Sequence, residues 1–139
     1  MDKVLDLAGQ AGLRKTRLLR VVVEALAEFS RPVTLKELES SEEILSSCDR
    51  TTLFRLLKRL QEKGLVRRIG LHERAAFFTL AMPGGHHDYL VCRSCGRVDV
   101  LEIACPVEAL ESEVAEKTGY SNLYHELEIY GMCPECCLK

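Results

Sequence analysis

The chain has 139 residues, of which 47% are hydrophobic and 29% charged, with a formal net charge of −2. This composition belongs to one ordinary globular domain or two very small ones and excludes a disordered chain. No apolar run approaches the roughly 18–20 residues that span a bilayer, so a membrane protein is excluded as well.

The opening residues, Met1-Asp2-Lys3-Val4-Leu5-Asp6, are acidic where a signal peptide has a basic region followed by a long apolar one. The expected location is the cytoplasm. Lys15 to Phe29 has helical periodicity, with Leu18, Leu19, Val22, Ala25, Leu26 and Phe29 on one face. Ser30-Arg31-Pro32 stops that helix. Thr34 reads as the N-cap of a short helix, Leu35 to Glu39, with Glu37 completing a capping box. A polar loop through Ser40-Ser41-Glu42-Glu43 follows.

Asp49 is the candidate N-cap of the next helix, Arg50 to Lys63, which Gly64 ends. Leu53, Leu56, Leu57 and Leu60 form its inner stripe; Arg50, Thr51, Phe54, Arg55, Lys58 and Arg59 form its outer face. Two strand-like runs follow, Leu65–Ile69 and Ala75–Leu80, with Gly70 to Arg74 between them. Three helices and a β-hairpin in this order describe a winged helix-turn-helix, which places its last helix in the DNA major groove. Arginine and lysine there neutralise phosphates, and arginine and threonine also reach base edges. The bland alternative is a basic face that is merely solvated.

Met82-Pro83-Gly84-Gly85 is a turn sequence with little side-chain bulk. The expected organisation is a domain over 1–82, a hinge at 83–85 and a second domain over 86–139. Charge changes across the hinge. Residues 1–82 hold 15 Lys+Arg against 11 Asp+Glu; residues 83–139 hold 4 against 10. A basic half suits an anionic polymer and an acidic half suits cations, although windows this short also fluctuate by several charges.

Seven cysteines in a cytoplasmic chain point to metal rather than to a disulfide framework. Cys92-Arg93-Ser94-Cys95 and Cys133-Pro134-Glu135-Cys136 are two C-x-x-C pairs with 37 residues between them. Each pair closes a tight knuckle, and two knuckles complete the tetrahedral tetrathiolate that structural Zn²⁺ prefers. The alternative is two redox dithiols. Cys137 adjoins the second pair, but the spacing favours Cys136. Cys48 and Cys105 have no partner spacing and read as small buried hydrophobes.

Tyr89-Leu90-Val91 leads into the first knuckle, and Arg97 to Leu101 leads out. Pro106 opens a helix to about Lys117, with Val107, Leu110 and Val114 on one face, and Gly119 ends it. Leu123 to Tyr130 alternates as a strand, placing His125 on its apolar side. A histidine so placed is a core residue or a ligand. His86-His87-Asp88 and Glu108 supply the further imidazole and carboxylate groups that suit Zn²⁺, Fe²⁺ or Mn²⁺.

Together these residues resemble the ferric uptake regulator family of metal-dependent repressors. The resemblance covers nearly the whole chain. It rests on Gly12-Leu13-Arg14-Lys15-Thr16, on Thr52-Leu53-Phe54-Arg55 (similar to T-V-Y-R), and on His86-His87-Asp88-Tyr89-Leu90-Val91-Cys92 (similar to H-H-D-H-L-I-C). Cys95-Gly96 and Tyr130-Gly131-Met132-Cys133 complete it. The resemblance implies an α+β chain, in which an N-terminal winged helix-turn-helix precedes a small α/β dimerisation domain with a structural zinc. It implies a homodimer on double-stranded operator DNA, with no membrane and no organic substrate. By position, Cys92, Cys95, Cys133 and Cys136 match the structural zinc site. His86, Asp88, Glu108 and His125 match a regulatory site for a second divalent metal (Zn²⁺, Fe²⁺ or Mn²⁺). Arg14, Lys15, Arg50, Thr51, Thr52, Phe54, Arg55 and Lys58 form the expected DNA face.

Several positions depart from the family pattern. The hinge sensor site of the family takes a histidine after the long helix, a ligand at the end of the wing and two histidines of the H-H-D-H run. Here Pro32, Thr79 and Tyr89 stand at three of those places and His87 remains. His72 and Glu73 are substitutes for the missing ligands or exposed loop residues. Leu19, beside Arg20, stands where the family has an arginine, and Phe54 where it has a tyrosine. Two other readings stay open. One is a zinc-stabilised DNA-binding regulator that senses no metal; the other is a redox- or peroxide-responsive member. A zinc hydrolase is not expected, since no H-E-x-x-H helix is present.

Overall fold

A computed structural model describes residues 2–29, 31–70, 76–81 and 87–138. The turn sequence at 83–85, His86, and the wing residues His72 and Glu73 lie outside them. The chain divides into two compact units, Met1–His86 and His87–Lys139.

The first unit opens with a helix the sequence reading did not find, α1 (Asp2–Gln10), which buries Val4 and Ala8. Thr16 caps α2 (Arg17–Phe29), its Oγ1 accepting from the Leu19 amide at 3.1 Å. Strand β1 (Val33–Thr34) leads directly into α3 (Leu35–Glu39). The expected capping box is present. The Glu37 amide donates to Thr34 Oγ1 at 3.2 Å, and the Thr34 amide donates to Glu37 Oε2 at 2.8 Å.

The segment read as a polar loop holds another helix, α4 (Glu42–Ser47). Two glutamates in its first turn suit a helix N-terminus, and Ile44 anchors it in the core. Asp49 then caps α5 (Arg50–Glu62), accepting from the Thr52 amide at 2.8 Å. At the other end Gly64 takes φ +73°, and the Leu65 amide reaches back to the Leu60 carbonyl at 2.9 Å. That closure turns the chain into β2 (Val66–Ile69), which pairs antiparallel with β3 (Phe77–Leu80); β1 joins on the far side of β3. Leu53, Leu57 and Leu60 of α5 meet Leu19, Val22, Leu38, Ile44 and Phe78 in one apolar core. Burying that stripe leaves the opposite face of α5 to solvent.

The second unit is built differently. Strand β4 (Asp88–Cys92) is central, with β5 (Val98–Leu101) antiparallel on one side and β6 (Glu128–Gly131) parallel on the other. Helix α6 (Val107–Thr118) joins β5 to β6 and ends at Gly119, φ +75°. A short helix, α7 (Pro134–Cys137), follows β6. The strand is shorter than the alternation from Leu123 predicts. Only residues 128–131 pair, so His125 precedes the strand instead of lying within it.

This unit has little apolar interior. Among the described residues its buried hydrophobic side chains are Tyr89, Val91, Cys92, Cys133 and Cys136, and α6 buries none of its residues. No helix among the described residues is long and apolar enough to cross a membrane.

The capping box gives a pH-dependent handle on the first unit. Hydrogen bonds from Arg31, at 3.0 Å to Oε1, hold the Glu37 carboxyl below its ordinary value. With the folded value below the unfolded one, this stabilisation is complete above about pH 4.3 and fades as pH falls through the folded value. Thr34→Ala is expected to cost about 1 kcal/mol. Glu37→Gln is expected to lower the melting temperature at neutral pH, with the gap to wild type closing on acidification. Thermal melts across the acid range check both.

Candidate metal centres and nucleic-acid interface

Four sulfurs converge in the second unit. Cys92 ends β4, Cys95 lies in the following turn, Cys133 caps α7 and Cys136 lies within it. The parallel register sets Cys92 beside Gly131, and the Arg93 amide donates to the Gly131 carbonyl at 2.7 Å. That pairing brings the two knuckles together. The Gly96 amide returns to the Cys92 carbonyl at 2.9 Å with φ +79°, a conformation that favours glycine.

Cys95 and Cys133 sulfurs lie 3.8 Å apart, and all four sulfurs lie within 4.8 Å of one another. The Cys133 and Cys95 amides donate to Cys92 Sγ at 3.3 and 3.5 Å and bring that thiol down to about 6. Cys133 also receives the Cys136 amide. Burial and the thiols of Cys136, Cys92 and Cys95 outweigh it and hold Cys133 up at about 12. Four crowded thiols cannot all ionise unaided. A divalent cation supplies the missing positive charge, and soft sulfur donors in this number fit Zn²⁺. Arg97 braces the knuckles from outside, donating to Asp99 at 2.8 Å and to Glu135 at 2.6 Å.

A second group lies in the same unit. Asp88, the first residue of β4, is 3% exposed. His125 Nε2 lies 3.9 Å from Asp88 Oδ1 and 3.2 Å from Cys105 Sγ. The three ligand atoms are all within 4.8 Å of one another. The other ring nitrogen, Nδ1, lies 2.8 Å from Glu111 Oε1. A carboxylate there orients the imidazole, as it does for metal-bound histidines generally.

Of the predicted regulatory quartet, Asp88 and His125 come together. Glu108 is exposed on the first turn of α6 and is not part of the group, and His86 lies outside the described residues. Cys105, expected as a buried hydrophobe, is half-buried beside His125 instead. The sequence reading missed Glu111 too. Glu108 and Glu111 are three apart on one helix, so spacing could not choose between them.

In the first unit, Arg50, Thr51, Thr52, Phe54, Arg55 and Lys58 are all exposed on α5, and Phe54 is 43% exposed. Phe54, Lys58 and Arg68 line a groove between α5 and the hairpin. Arg50 pairs with Glu39 at 3.2 Å and Lys15 with Asp6 at 3.1 Å. Arg14 and Lys15 lie exposed before α2. Pro32 and Tyr89, at two places where the hinge pattern has histidines, are buried.

A winged helix with an exposed basic helix, in one chain with a four-cysteine centre and a mixed-donor group, defines a metal-responsive transcriptional regulator. The ferric uptake regulator family model matches residues 10–130. The chain is 36% identical over 135 residues to the ferric uptake regulation protein of Legionella pneumophila, covering 91% of this chain and 93% of that one. The Vibrio cholerae ferric uptake regulator superposes with a TM-score of 0.68 at 27% identity, covering 91% of this chain and 96% of the other. The Helicobacter pylori ferric uptake regulator, described as having three functional metal binding sites, has the same fold. Its TM-score is 0.72 at 20% identity, over 98% and 93% of the two chains. The chain belongs to the ferric uptake regulator family.

The zinc reading carries a direct expectation. Cys133→Ser should lose the chelator-resistant zinc equivalent and unfold the second unit at lower temperature. A structural zinc contributes on the order of 10 kcal/mol to small metal-folded domains. Elemental analysis and a thermal melt on one sample check it; an unchanged zinc content would exclude Cys133 as a ligand.

Proposed function

We propose that the chain is a homodimeric, metal-dependent repressor that binds double-stranded operator DNA. Residues 1–82 form the DNA-binding domain, 83–85 the hinge and 86–139 the metal-binding dimerisation domain. The observation that carries this reading is the basic outer face of α5, held in solvent by the burial of Leu53, Leu57 and Leu60. Arg14, Lys15, Arg50 and Lys58 meet phosphates. Thr51, Thr52, Phe54 and Arg55 meet sugar and base edges, with Phe54 offering apolar contact to a thymine methyl.

Dimerisation is supported by the apolar surface of the second unit. Leu90, Leu110, Tyr120, Tyr124 and Ile129 are exposed there, Tyr124 by 83%. Apolar exposure of this kind on a unit with a small core marks an interface. A symmetric pair presents two recognition helices to two half-sites. The reading includes a cytoplasmic location and neither an enzymatic activity nor an organic substrate.

In the four-cysteine centre, zinc supplies the positive charge that lets four thiolates share one space. In the second group, a divalent cation supplies the regulatory charge. Asp88 and His125, with His86 as the resemblance implies, hold that cation. Pro32 has no donor side chain and Tyr89 replaces an imidazole with a phenol, so two positions of the family's hinge site lose their ligand, which leaves this group as the sensor. Control is linkage. Ligands that are better aligned in the DNA-competent arrangement shift the population towards it by their differential affinity, about 1–3 kcal/mol or 5- to 150-fold.

Two substitutions separate the parts. Lys58→Ala is expected to weaken binding to a duplex selected from a random pool and to lower the salt slope by about 1, with little change in sequence preference. His125→Ala is expected to leave metal-free DNA binding unchanged and to remove the response to added metal. Fluorescence anisotropy with and without added Zn²⁺ measures both, and a retained metal response in His125→Ala would exclude the sensor.

A further inference from the structure

The family pattern places nitrogen and oxygen donors at the regulatory site. The side chains assembled here include a sulfur. The geometry points to Cys105 as a thiolate ligand of the second cation, with Asp88 and His125 completing an S/N/O set that selects Zn²⁺ over Mn²⁺. This inference rests on the reading that the second unit carries a second cation site.

Three observations carry it. First, spacing. Zinc bonds of about 2.3 Å to sulfur and about 2.0 Å to nitrogen or oxygen separate tetrahedral ligand atoms by roughly 3.3–3.5 Å. Cys105 Sγ to His125 Nε2 is 3.2 Å, His125 Nε2 to Asp88 Oδ1 is 3.9 Å and all three ligand atoms lie within 4.8 Å of one another, so drawing the three together seats one ion between them.

Second, the histidine is already presented. Glu111 Oε1, 2.8 Å from Nδ1, takes the ring proton on that side and turns the Nε2 lone pair towards Cys105 and Asp88. Glu111 is thus a positioning residue.

Third, charge and softness. Asp88 and a metal-bound Cys105 thiolate together balance the charge of one divalent ion in a partly buried place. Burial and the neighbouring Asp88 carboxylate favour the protonated Cys105 thiol in the absence of metal, and cation binding releases that proton to solvent. A thiolate with an imidazole favours Zn²⁺, whereas Mn²⁺ favours oxygen donors and stands lowest in the affinity order.

The test uses full-length protein, purified anaerobically, holding one chelator-resistant zinc. Co²⁺ is added while the retained zinc is measured by elemental analysis. The expected result is a second equivalent with a near-ultraviolet thiolate-to-cobalt charge-transfer band, displaced by Zn²⁺ and not by excess Mn²⁺, with the first zinc retained. Cys105→Ser should lose the band and bind Co²⁺ more weakly, because a soft thiolate donor is gone. Cys105→Asp, which keeps a charged donor, should bind Co²⁺ without the band.

If a second Co²⁺ binds wild type with no thiolate band, Cys105 is not a ligand and this inference fails, while the second site stands. If the band grows only as zinc is released, it belongs to the four cysteines and the inference again fails. If no second equivalent binds at all, the regulatory-site reading falls and takes this inference with it.

Discussion

The Cys92 sulfur receives the amide of Cys133, across a parallel strand pair, and much of the second unit depends on that junction. The unit spans only His87–Lys139, and among the described residues its buried apolar side chains are Tyr89, Val91 and three cysteines. A chain of this length rarely stabilises itself by apolar burial alone, and natural small domains add a metal, a disulfide or a partner. Closing two knuckles around one ion fixes β4 against β6 and sets α7. With those strands fixed, Asp88 at one end of β4 and His125 ahead of β6 have defined positions. The mixed-donor group is therefore downstream of the sulfur junction in the architecture.

The two units divide the physical work. Among its described residues the first has a conventional core in which five helices and a three-stranded sheet pack Leu, Val and Ile side chains. That core gives α5 a rigid seat and two well-made ends, Asp49 at the start and the Gly64 closure at the finish. The proposed role of α5 as a recognition helix needs such a seat, because loosely held contacts discriminate poorly. The second unit exposes Leu90, Leu110, Tyr120, Tyr124 and Ile129 while it buries Asp88. This inversion suits a unit that binds cations and pairs with another copy.

Much of this was legible in the sequence, for identifiable reasons. The α5 stripe, the Thr34–Glu37 box and the Asp49 cap are local patterns, and local patterns are read directly. The cysteine pairs are legible because a knuckle needs its two sulfurs at fixed spacing. Helix α4 was hidden by Ser40 to Glu43, whose polarity resembles a loop although Ile44 anchors it. Alternation from Leu123 overstated β6, because alternation describes which way side chains point and not whether a neighbour is there to pair with. Cys105 and Glu111 were invisible for a different reason. Their importance is a meeting of three separate segments around His125, and no spacing along the chain encodes that meeting. Glu108 matched the family position and yet lies exposed.

The central claim is that one metal holds the fold and a second controls DNA binding. The most direct test is metal content per chain before and after dialysis against a moderate chelator, with operator affinity measured on the same samples. The account predicts one zinc that resists dialysis and a second equivalent that is lost, with operator binding weakening in step and returning when the metal is restored. A single equivalent under every condition, or operator affinity unchanged by loss of the second, would contradict it.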